Sequence, residues 1–434
     1  MPTTFPARLA IQPLPSPPQA VVRVPGSKSI TNRALVLAAL CCREQGCLLT
    51  GALRSEDTEV MVEGLARLGY DLRPNWATET IDVGPSPGER VVPAAQAELF
   101  VGNSGTTMRF LTALVALGQG RYRLDGIPRM RERPIDDLLA ALNQLGVAAR
   151  SEAGNGCPPV VVDANRLPGG TVRIKGDVSS QFLSGLLMAA PFAAGPVEIE
   201  VEGPLVSQPY VTMTLTMLRE FGVQRIQVHG LQKFVLQGPV VQPPRTYAIE
   251  PDASAASYFF ASAAITGGTV TVAGLPARSL QGDVGFVDLL EAMGCQVERH
   301  PEGVTVHGGE LRGIDADMNA ISDTVMTLAA VACFAEGPTT IRNVAHIRHK
   351  ETDRLAALAT ELRRCGVSVE ERPDGLTIHP APLRPAVFET YNDHRLAMSL
   401  ALLGLRAPGM VIIDPACVGK TYPEFFADLE RLRQ

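Results

Sequence analysis

The chain has 434 residues, 46% of them hydrophobic and 19% charged, with 39 Lys and Arg against 45 Asp and Glu. This length suits two domains, and the composition is typical of a globular protein rather than a disordered one. An aromatic content of 5% and a net charge of −6 argue against a nucleic-acid-binding protein, although both are compatible with a cleft for a small anion.

The sequence lacks the patterns expected of a membrane helix, a signal peptide or a metal site. No apolar run reaches the roughly 18–20 residues that a membrane helix needs, and the Pro-rich residues 1–19 lack the pattern of a signal peptide. The eight cysteines form no Cys-x-x-Cys pattern and no metal-ligand spacing with histidine. We therefore expect a cytoplasmic protein with reduced core cysteines, no metal ion, no cofactor, no membrane contact and no nucleic-acid partner.

An amphipathic helix that ends near a glycine recurs along the chain, each time followed by residues that alternate with period two. The spacings between the glycines are 77, 76, 72 and 72 residues, and each stands where a helix C-cap is expected. These glycines are Gly69, Gly146, Gly222, Gly294 and Gly366. A sixth helix, from Pro423, has no strand after it, so we expect residues 9–14 to supply the missing strand.

A second helix type is apolar on nearly all sides, which predicts that it is buried. Its six copies start at Ser27, Asn103, Ser179, Asp252, Ser322 and Asn392. One helix of each type with its strands makes a β-α-β-α-β-β unit of about 70–75 residues. Six such units predict an α/β (α+β) fold of two domains. Residues 26–249 form one domain, and residues 1–25 with 250–434 form the other.

The starts of the buried helices are candidate anion sites, because a helix N-terminus presents unpaired N–H groups and a partial positive charge. Ordinary capping by Ser, Thr, Asn or Asp explains most of these starts without any ligand. Basic residues at a helix start are unfavourable by about 0.3–1 kcal/mol, and a bound anion would compensate them. Such residues accompany three of the starts, namely Lys28 and Arg33, then Arg109, then His394 and Arg395.

Two loops and a segment near the C-terminus add further cations. They are Arg129, Arg131 and Arg133 in PRMRERP, Arg348, Lys350 and Arg354 in RHKETDR, and Lys420. On a helix, Lys350 and Arg354 would share a face because they are four residues apart. The alternative for both loops is that these residues, Arg131 and Arg133 in particular, are ordinary solvated surface charges.

Seven segments together resemble the 5-enolpyruvylshikimate-3-phosphate synthase family, in the order in which that family carries them. They are PGSKSITNRAL from Pro25, GNSGTTMRFL from Gly102, PRMRERPI from Pro128, GDVSSQFLSGLLMAAP from Gly176, RHKETDRL from Arg348, NDHRLAMS from Asn392 and GKTYPEFF from Gly419. The resemblance implies two domains of three β-α-β-α-β-β units, an inside-out α/β barrel in each, with the substrates in the cleft between the domains. It also implies transfer of the enolpyruvyl group of phosphoenolpyruvate to the 5-hydroxyl of shikimate 3-phosphate, with release of phosphate.

By the family's pattern, residues of both predicted domains contact the two substrates. Those implied for shikimate 3-phosphate are Lys28, Ser29, Arg33, Ser179, Ser180, Gln181, Ser207, Tyr210, Asp323 and Lys350. Those implied for phosphoenolpyruvate are Lys28, Asn103, Gly105, Thr106, Arg129, Gln181, Arg354, Arg395 and Lys420. Two further candidates are His394 and His346, the latter at a position where some relatives have Asn.

The implied chemistry needs acid–base groups among the cations, because a proton must reach C3 of phosphoenolpyruvate and later leave it. The catalytic residues implied by the resemblance are Lys28, Asp323 and Glu351. Asp323 would accept the proton of the 5-hydroxyl, and either Glu351 or Lys28 would handle the C3 proton. Gly105 leaves space beside phosphoenolpyruvate, so we expect inhibition by glyphosate, which mimics that substrate.

Two alternatives stay open. The homologous enzyme that acts on UDP-N-acetylglucosamine shares the sixfold architecture, but it usually carries a reactive cysteine in its catalytic loop, and PRMRERP has none. A non-catalytic repeat scaffold would explain buried capped helices but not carboxylates placed among cations. For the favoured interpretation we expect a monomer that binds two small anionic substrates, phosphoenolpyruvate and shikimate 3-phosphate.

Overall fold

The computed structural model describes residues 5–86 and 88–433, and the chain divides into two compact units. The continuous unit comprises Gly26–Ile249, and the split unit combines the chain up to Pro25 with the chain from Glu250 onward. Among the described residues, no helix is both long enough and apolar enough to cross a membrane.

The strands are short, mostly of three to seven residues. In chain order they are β1 Arg8–Ile11, β2 Gln19–Val22, β3 Cys47–Thr50, β4 Leu72–Asn75, β5 Thr80–Val83, β6 Gln96–Phe100, β7 Gln119–Asp125, β8 Ala148–Ser151, β9 Val160–Asn165, β10 Gly170–Lys175, β11 Val197–Glu202, β12 Val223–His229, β13 Lys233–Val240, β14 Thr246–Ala248, β15 Thr269–Ala273, β16 Gln296–His300, β17 Gly303–His307, β18 Asp315–Asp317, β19 Thr339–Arg342, β20 Ser368–Arg372, β21 Gly375–His379, β22 Ala386–Phe388 and β23 Met410–Ile413.

The helices alternate between buried and half-exposed ones along the chain. In chain order they are α1 Lys28–Cys41, α2 Glu56–Arg67, α3 Gly105–Val115, α4 Asp136–Gln144, α5 Ser180–Ala189, α6 Gln208–Glu220, α7 Ala253–Thr266, α8 Phe286–Met293, α9 Val325–Ala332, α10 Arg354–Arg364, α11 His394–Gly404 and α12 Phe425–Arg431. Short 3-10 helices precede or follow several of them, at Pro128–Glu132, Ala190–Phe192, Gly282–Gly285, Ser322–Thr324, Ala345–His349 and Pro415–Lys420.

Among the described residues each unit contains three sheets, and the five four-stranded sheets share one pairing scheme. The described sheets of the continuous unit have the strand orders β14-β3-β5-β4, β6-β7-β9-β8 and β10-β11-β13-β12. Those of the split unit have the orders β16-β17-β15-β2, β18-β19-β21-β20 and β1-β23-β22. In every four-stranded sheet a parallel pair continues into two antiparallel pairings, as in β10, β11, β13 and β12. The predicted α/β class is confirmed.

The last repeat is completed by the strand nearest the N-terminus. Strand β1 pairs antiparallel with β23, with Arg8 opposite Ile413 and Ile11 opposite Met410. The expected N-terminal strand is therefore confirmed, but it ends at Ile11 rather than at Leu14. Pro13 explains the earlier end, because proline has no N–H to donate to a sheet ladder.

The buried helices form the core of each unit. All residues of α3, α9 and α11 are buried, and so are all but the last residue of α7. Within the continuous unit α1, α3 and α5 pack together, and within the split unit α7, α9 and α11 do the same. Because these helices are surrounded by protein, their N-terminal residues are held rigidly, which is what a precise binding site requires.

The predicted helix ends are also confirmed. The five repeat glycines all have left-handed backbone, with φ of 92°, 82°, 89°, 115° and 93° in chain order. A side chain is strained in that conformation, which is why glycine recurs there. The eight cysteines are free thiols, and all are buried except Cys157, which is half-buried.

Candidate active site

In the continuous unit the first turns of α1, α3 and α5 lie side by side. Asn32 on α1 donates from Nδ2 to Thr106 Oγ1 on α3 over 2.7 Å. A Cβ placed on Gly105 would lie 3.1 Å from Gln181 Oε1 on α5. Ser27, Ser104 and Ser179 cap the three helices by accepting backbone N–H bonds. Residues predicted from three distant motifs are therefore brought together, namely Lys28, Ser29, Asn103, Gly105, Thr106, Ser179, Ser180 and Gln181.

Lys28 begins α1 and is paired with a carboxylate that sequence reasoning missed. Its Nζ lies 3.2 Å from Asp57 Oδ2, and the exposed fractions of the two side chains are 13% and 3%. Asp57 lies in the first turn of α2, next to the Ser55 capping box. The capping box predicts a helix start, but nothing in the sequence pairs that start with Lys28.

Arg33 is buried among uncharged groups. Its Nε donates to Thr214 Oγ1 over 2.8 Å, and its other described acceptors are the carbonyl oxygens of Ser29 and Tyr210 and the hydroxyl of Ser184. Burial lowers the pKa of Arg33 to about 10. Four hydrogen bonds inside the unit leave at most one of the five guanidinium N–H groups for a ligand.

Aromatic rings and α6 complete the surroundings of Arg33. The guanidinium carbon lies 5.1 Å from the ring centre of Phe110 and 5.8 Å from that of Tyr210, distances at which a cation is attracted to a ring face. Ser207 has left-handed backbone with φ of 52° directly before α6, which places Tyr210 in the first turn. The predicted residue Tyr210 thus lies beside Arg33, and the predicted residue Ser207 lies at the start of the same helix.

The three arginines of PRMRERP have different environments. Arg133 is buried and donates from Nη1 to the backbone oxygen of Asn103 over 2.9 Å, so its interpretation as a surface charge is wrong. Arg131 is half exposed and pairs with Asp125, as expected for a surface charge. Arg129 lies 2.7 Å from Glu132 Oε2, with a third of its side chain exposed. The buried Arg133 thus fixes the backbone just before α3.

In the split unit Arg354 joins three carboxylates. Its guanidinium donates to Asp393 Oδ2 over 2.8 Å, to Glu351 Oε2 over 2.9 Å and to Asp323 Oδ1 over 3.3 Å. Burial alone would lower the pKa of Arg354, but Asp393, Glu351 and Asp323 together raise it above its ordinary value. The predicted residues Asp323, Glu351 and Arg354 therefore form one cluster, in which Arg354 is the shared donor.

Two more predicted cations border this cluster. Arg395 donates from Nη2 to Asp323 Oδ2 over 2.7 Å, and Lys420 Nζ lies 3.9 Å from Glu351 Oε1. Asp393 was not predicted, yet it caps α11 by accepting from the Arg395 N–H over 2.9 Å. His394 lies beside it, with Nδ1 3.8 Å from Asp393 Oδ1. The NDHR segment therefore contributes its aspartate as well as its basic residues.

Asp283 is a second carboxylate that sequence reasoning missed. It accepts a hydrogen bond from the Ser254 hydroxyl, which in turn accepts from Arg395 Nη2 over 3.4 Å. Burial, and after it the negative charge of Asp323, raises the pKa of Asp283 to about 6. Asp283 is therefore linked to Asp323 through Ser254 and Arg395.

The RHKETDR segment is not one helix. His346 lies in the 3-10 helix Ala345–His349, Lys350 follows it, and α10 begins only at Arg354 with Asp353 as its cap. The condition for a shared helix face is therefore not met, because Lys350 lies before the start of α10. Burial, with a further effect of the Lys350 charge, lowers the pKa of His346 to about 3, so this imidazole is neutral at pH 7.

The two clusters differ in chemical capacity. The cluster of the continuous unit offers hydroxyls, helix N-termini and cations, which suit phosphate and carboxylate groups. The cluster of the split unit offers carboxylates that cations hold in place, which suits proton transfer.

Comparison with known proteins identifies relatives over nearly the whole chain. The family model described as EPSP synthase (3-phosphoshikimate 1-carboxyvinyltransferase) matches residues 14–429. A 3-phosphoshikimate 1-carboxyvinyltransferase of Nostoc punctiforme is 50% identical over 419 residues, which cover 96% of this chain and 97% of the relative. The chloroplastic enzyme of the same name from Brassica napus is 46% identical and aligns over 95% of this chain and 83% of its own length.

Solved structures agree with the sequence relatives. The EPSP synthase of Acinetobacter baumannii superposes with a TM-score of 0.81 at 26% identity, over 98% of each chain. The enolpyruvyl transferase NikO of Streptomyces tendae superposes with a TM-score of 0.76 at 22% identity, over 98% of this chain and 97% of its own. The second likeness is one of fold alone.

Proposed function

Since the chain belongs to the EPSP synthase family, we propose that its two charged clusters both serve one reaction. That reaction is the transfer of the carboxyvinyl group of phosphoenolpyruvate to the 5-hydroxyl of shikimate 3-phosphate, with release of phosphate. Full-length identity of 50% to a 3-phosphoshikimate 1-carboxyvinyltransferase is the observation that carries this function.

The continuous unit supplies most of the contacts to shikimate 3-phosphate. Lys28 supplies an ammonium group at the start of α1, where it is paired with Asp57. Ser29, Ser179 and Ser180 add hydroxyls at the starts of α1 and α5. Arg33 acts mainly through its charge, because its N–H groups are engaged within the unit. The full set proposed for this substrate is Lys28, Ser29, Arg33, Ser179, Ser180, Gln181, Ser207 and Tyr210, with Asp323 and Lys350 from the split unit.

Phosphoenolpyruvate carries a phosphate and a carboxylate, and arginine side chains and helix N-termini are well suited to bind both groups. The residues proposed for it are Lys28, Asn103, Gly105, Thr106, Arg129 and Gln181 from the continuous unit, and Arg354, Arg395 and Lys420 from the split unit. Arg354 donates to Asp393 and Arg395 donates to Asp323, and these contacts support carboxylate or phosphate groups as ligands of the two guanidinium groups.

The reaction moves protons as well as carbon. A proton adds to C3 of phosphoenolpyruvate, C2 becomes cationic, and the oxygen of the 5-hydroxyl bonds to C2 as Asp323 accepts its proton. A proton then leaves C3, the C2–O bond to phosphate breaks, and phosphate departs. Glu351 contacts Arg354 and lies 3.9 Å from Lys420, and this position among cations supports it as the group that exchanges the C3 proton. Lys28 remains the alternative for that step.

The alternative acceptor, UDP-N-acetylglucosamine, has less support. The matching family model and the relatives at 45–50% identity carry the name of the shikimate enzyme. In addition, the segment of Arg129 has no cysteine that would serve as the reactive thiol usual in the other enzyme.

An assay of phosphate release tests the proposal. We expect release only when both phosphoenolpyruvate and shikimate 3-phosphate are present, and none when UDP-N-acetylglucosamine replaces the second substrate. The variants Asp323→Asn and Glu351→Gln keep the shape of each side chain and should lower kcat about 10²–10⁴-fold, the usual contribution of a general acid or base.

The matched control is Asp315→Asn, which removes an exposed carboxylate paired with Arg342 in the same unit. It should leave kcat unchanged. Folded Asp323→Asn and Glu351→Gln proteins with full activity would refute the catalytic roles proposed here.

A further inference from the structure

We infer that Glu361 and Tyr391 are positioning residues that hold the turn before α11, and through it Asp393 and Arg395, in the binding geometry for phosphoenolpyruvate. This inference rests on the role proposed above for Arg354 and Arg395. Glu361 lies on α10 and is completely buried, whereas Tyr391 is 41% exposed.

The turn before α11 has an unfavourable backbone. Tyr391 and Asn392 both have φ of 53°, and the Asp393 N–H donates to the Thr390 oxygen over 2.8 Å. Two successive left-handed residues normally require glycine or asparagine, and a tyrosine there is strained. Such a conformation persists only where the surrounding structure holds it.

Glu361 supplies the contacts that hold the turn. Its Oε1 accepts from the Tyr391 hydroxyl over 2.7 Å, and its Oε2 accepts from the Glu389 N–H over 3.0 Å. Its third described partner is Arg364, on the surface side of the same helix. One buried carboxylate therefore binds the chain both at and just before the left-handed pair.

The same helix also fixes the residue after the pair. Arg354 lies seven residues before Glu361, which is two helical turns and hence the same face of α10. Arg354 donates to Asp393, and Asp393 in turn caps the Arg395 N–H. The short segment from Glu389 to Asp393 is thus bound to α10 at both ends, and its conformation determines where α11 and Arg395 begin.

The protonation states suit this arrangement. Partial burial, and after it the Glu361 carboxylate, raises the pKa of Tyr391 to about 12. The phenol therefore keeps its proton at neutral pH and donates to Glu361.

The test is Tyr391→Phe, which deletes one hydroxyl from an exposed ring. We expect KM for phosphoenolpyruvate to rise about 3–10-fold, the net value of one hydrogen bond, while KM for shikimate 3-phosphate stays within about twofold. Tyr247→Phe is the matched control, because it deletes a phenol that donates to Glu220 over 2.7 Å in the continuous unit. It should change neither constant.

A double-mutant cycle separates positioning from general stabilisation. Glu361→Gln keeps one acceptor oxygen but turns an NH₂ group toward the other donor, so its effect on KM for phosphoenolpyruvate should exceed that of Tyr391→Phe. Because the two residues act through one hydrogen bond, the rise in KM for phosphoenolpyruvate in the double variant should be smaller than the product of the two single fold-changes. Multiplicative effects, or a lower melting temperature with both KM values unchanged, would refute the positioning role.

Arg395→Lys distinguishes this inference from the proposed function. If Arg395→Lys raises KM for phosphoenolpyruvate and Tyr391→Phe does not, the positioning role alone is wrong. If Arg395→Lys also leaves KM unchanged, the binding role of Arg395 is wrong, and the inference is refuted with it.

Discussion

Two buried arginines show how differently the two units handle charge. Arg33 in the continuous unit and Arg354 in the split unit are each 1% exposed. The pKa of Arg33 is lowered to about 10 by burial, whereas three carboxylates raise that of Arg354. The same side chain at the same burial therefore has opposite electrostatic surroundings.

The difference indicates what each cluster is suited to bind. A buried cation with only uncharged partners is relieved when an anion approaches, so the surroundings of Arg33 favour a phosphate or carboxylate ligand. The charge of Arg354 is already compensated, because its guanidinium lies within 3.3 Å of carboxylate oxygens of Asp323, Glu351 and Asp393. At Arg33 the continuous unit therefore has positive charge that an anion could compensate, whereas at Arg354 the split unit already supplies the compensating carboxylates.

The largest expected effects come from replacing each of these two arginines with methionine. Arg354→Met leaves three carboxylates without their shared partner and should cost about 3–5 kcal/mol of folding free energy. Arg33→Met should cost only about 1–3 kcal/mol, because Thr214 still donates to the Tyr210 oxygen and lies 3.1 Å from Ser184. Urea unfolding followed by circular dichroism measures both losses.

The single tryptophan sharpens this measurement. Trp76 lies in the continuous unit, so its fluorescence reports the unfolding of that unit. We expect the urea midpoint of the Trp76 fluorescence transition to fall more in Arg33→Met than in Arg354→Met. The contrast between compensated and uncompensated charge would be contradicted if Arg33→Met lost more free energy of unfolding, as measured by circular dichroism, than Arg354→Met.

A smaller effect concerns the loss of folding stability in acid, and we expect it to arise in the split unit, at His346. Burial lowers the pKa of His346 from its ordinary value of 6.5 to about 3 in the folded state, so the unfolded chain binds the proton more tightly. The free energy of unfolding therefore falls as the pH drops below about 6.5. His346→Asn should remove this loss of stability at acidic pH, because asparagine does not titrate. Relative to the unmodified protein, the variant should gain about 2 kcal/mol between pH 7 and pH 5.

Asp283→Asn is the opposite control. The pKa of Asp283 is raised to about 6, so the folded state binds the proton more tightly and stability rises as the pH falls through 6. Relative to the unmodified protein, Asp283→Asn should lose stability over the same pH range. Shifts of the same sign in both variants would show that the pH dependence arises elsewhere.

The smallest expected effect is at the start of α3 in the continuous unit. A Cβ on Gly105 would lie 2.6 Å from Arg133 Nη2, so Gly105→Ala should displace Arg133 from Asn103. We expect KM for phosphoenolpyruvate to rise about tenfold, or about 1.4 kcal/mol, and inhibition by glyphosate to weaken. Initial rates at varied phosphoenolpyruvate and glyphosate measure both.

Gly285→Ala is a matched control, because the nearest atoms to its added Cβ are at 3.7 and 3.9 Å. It should leave both constants unchanged. If the unmodified enzyme turns over normally in millimolar glyphosate, the expected sensitivity is wrong.

The repeat could be predicted because local physics produces it. Gly69 and Gly366 mark helix ends, since a left-handed residue there favours glycine in any fold. The burial of α3 and α11 follows from sequences that are apolar on all sides. The N-terminal strand was predicted from the count of units, and only its end was misplaced.

The sequence predicts the cations of the site, but it does not predict which carboxylates pair with them. Lys28 and Asp57 are 29 residues apart, and Arg354 and Asp393 are 39 apart, so no helical or strand period relates them. The polar segment PRMRERP allows Arg133 to be a surface charge, because nothing in the sequence distinguishes it from Arg131. Its burial depends on how that loop packs against the start of α3.

The sequence by itself determined the six-unit plan, the helix ends and the identity of the charged residues, because each follows from spacing, turn chemistry or a motif. Only the tertiary structure decided that Arg33 is surrounded by hydroxyls and rings, whereas Arg354 is surrounded by carboxylates. The reason is that a side chain's electrostatic surroundings depend on groups contributed by distant segments, and these become neighbours only when the helices of a unit pack together.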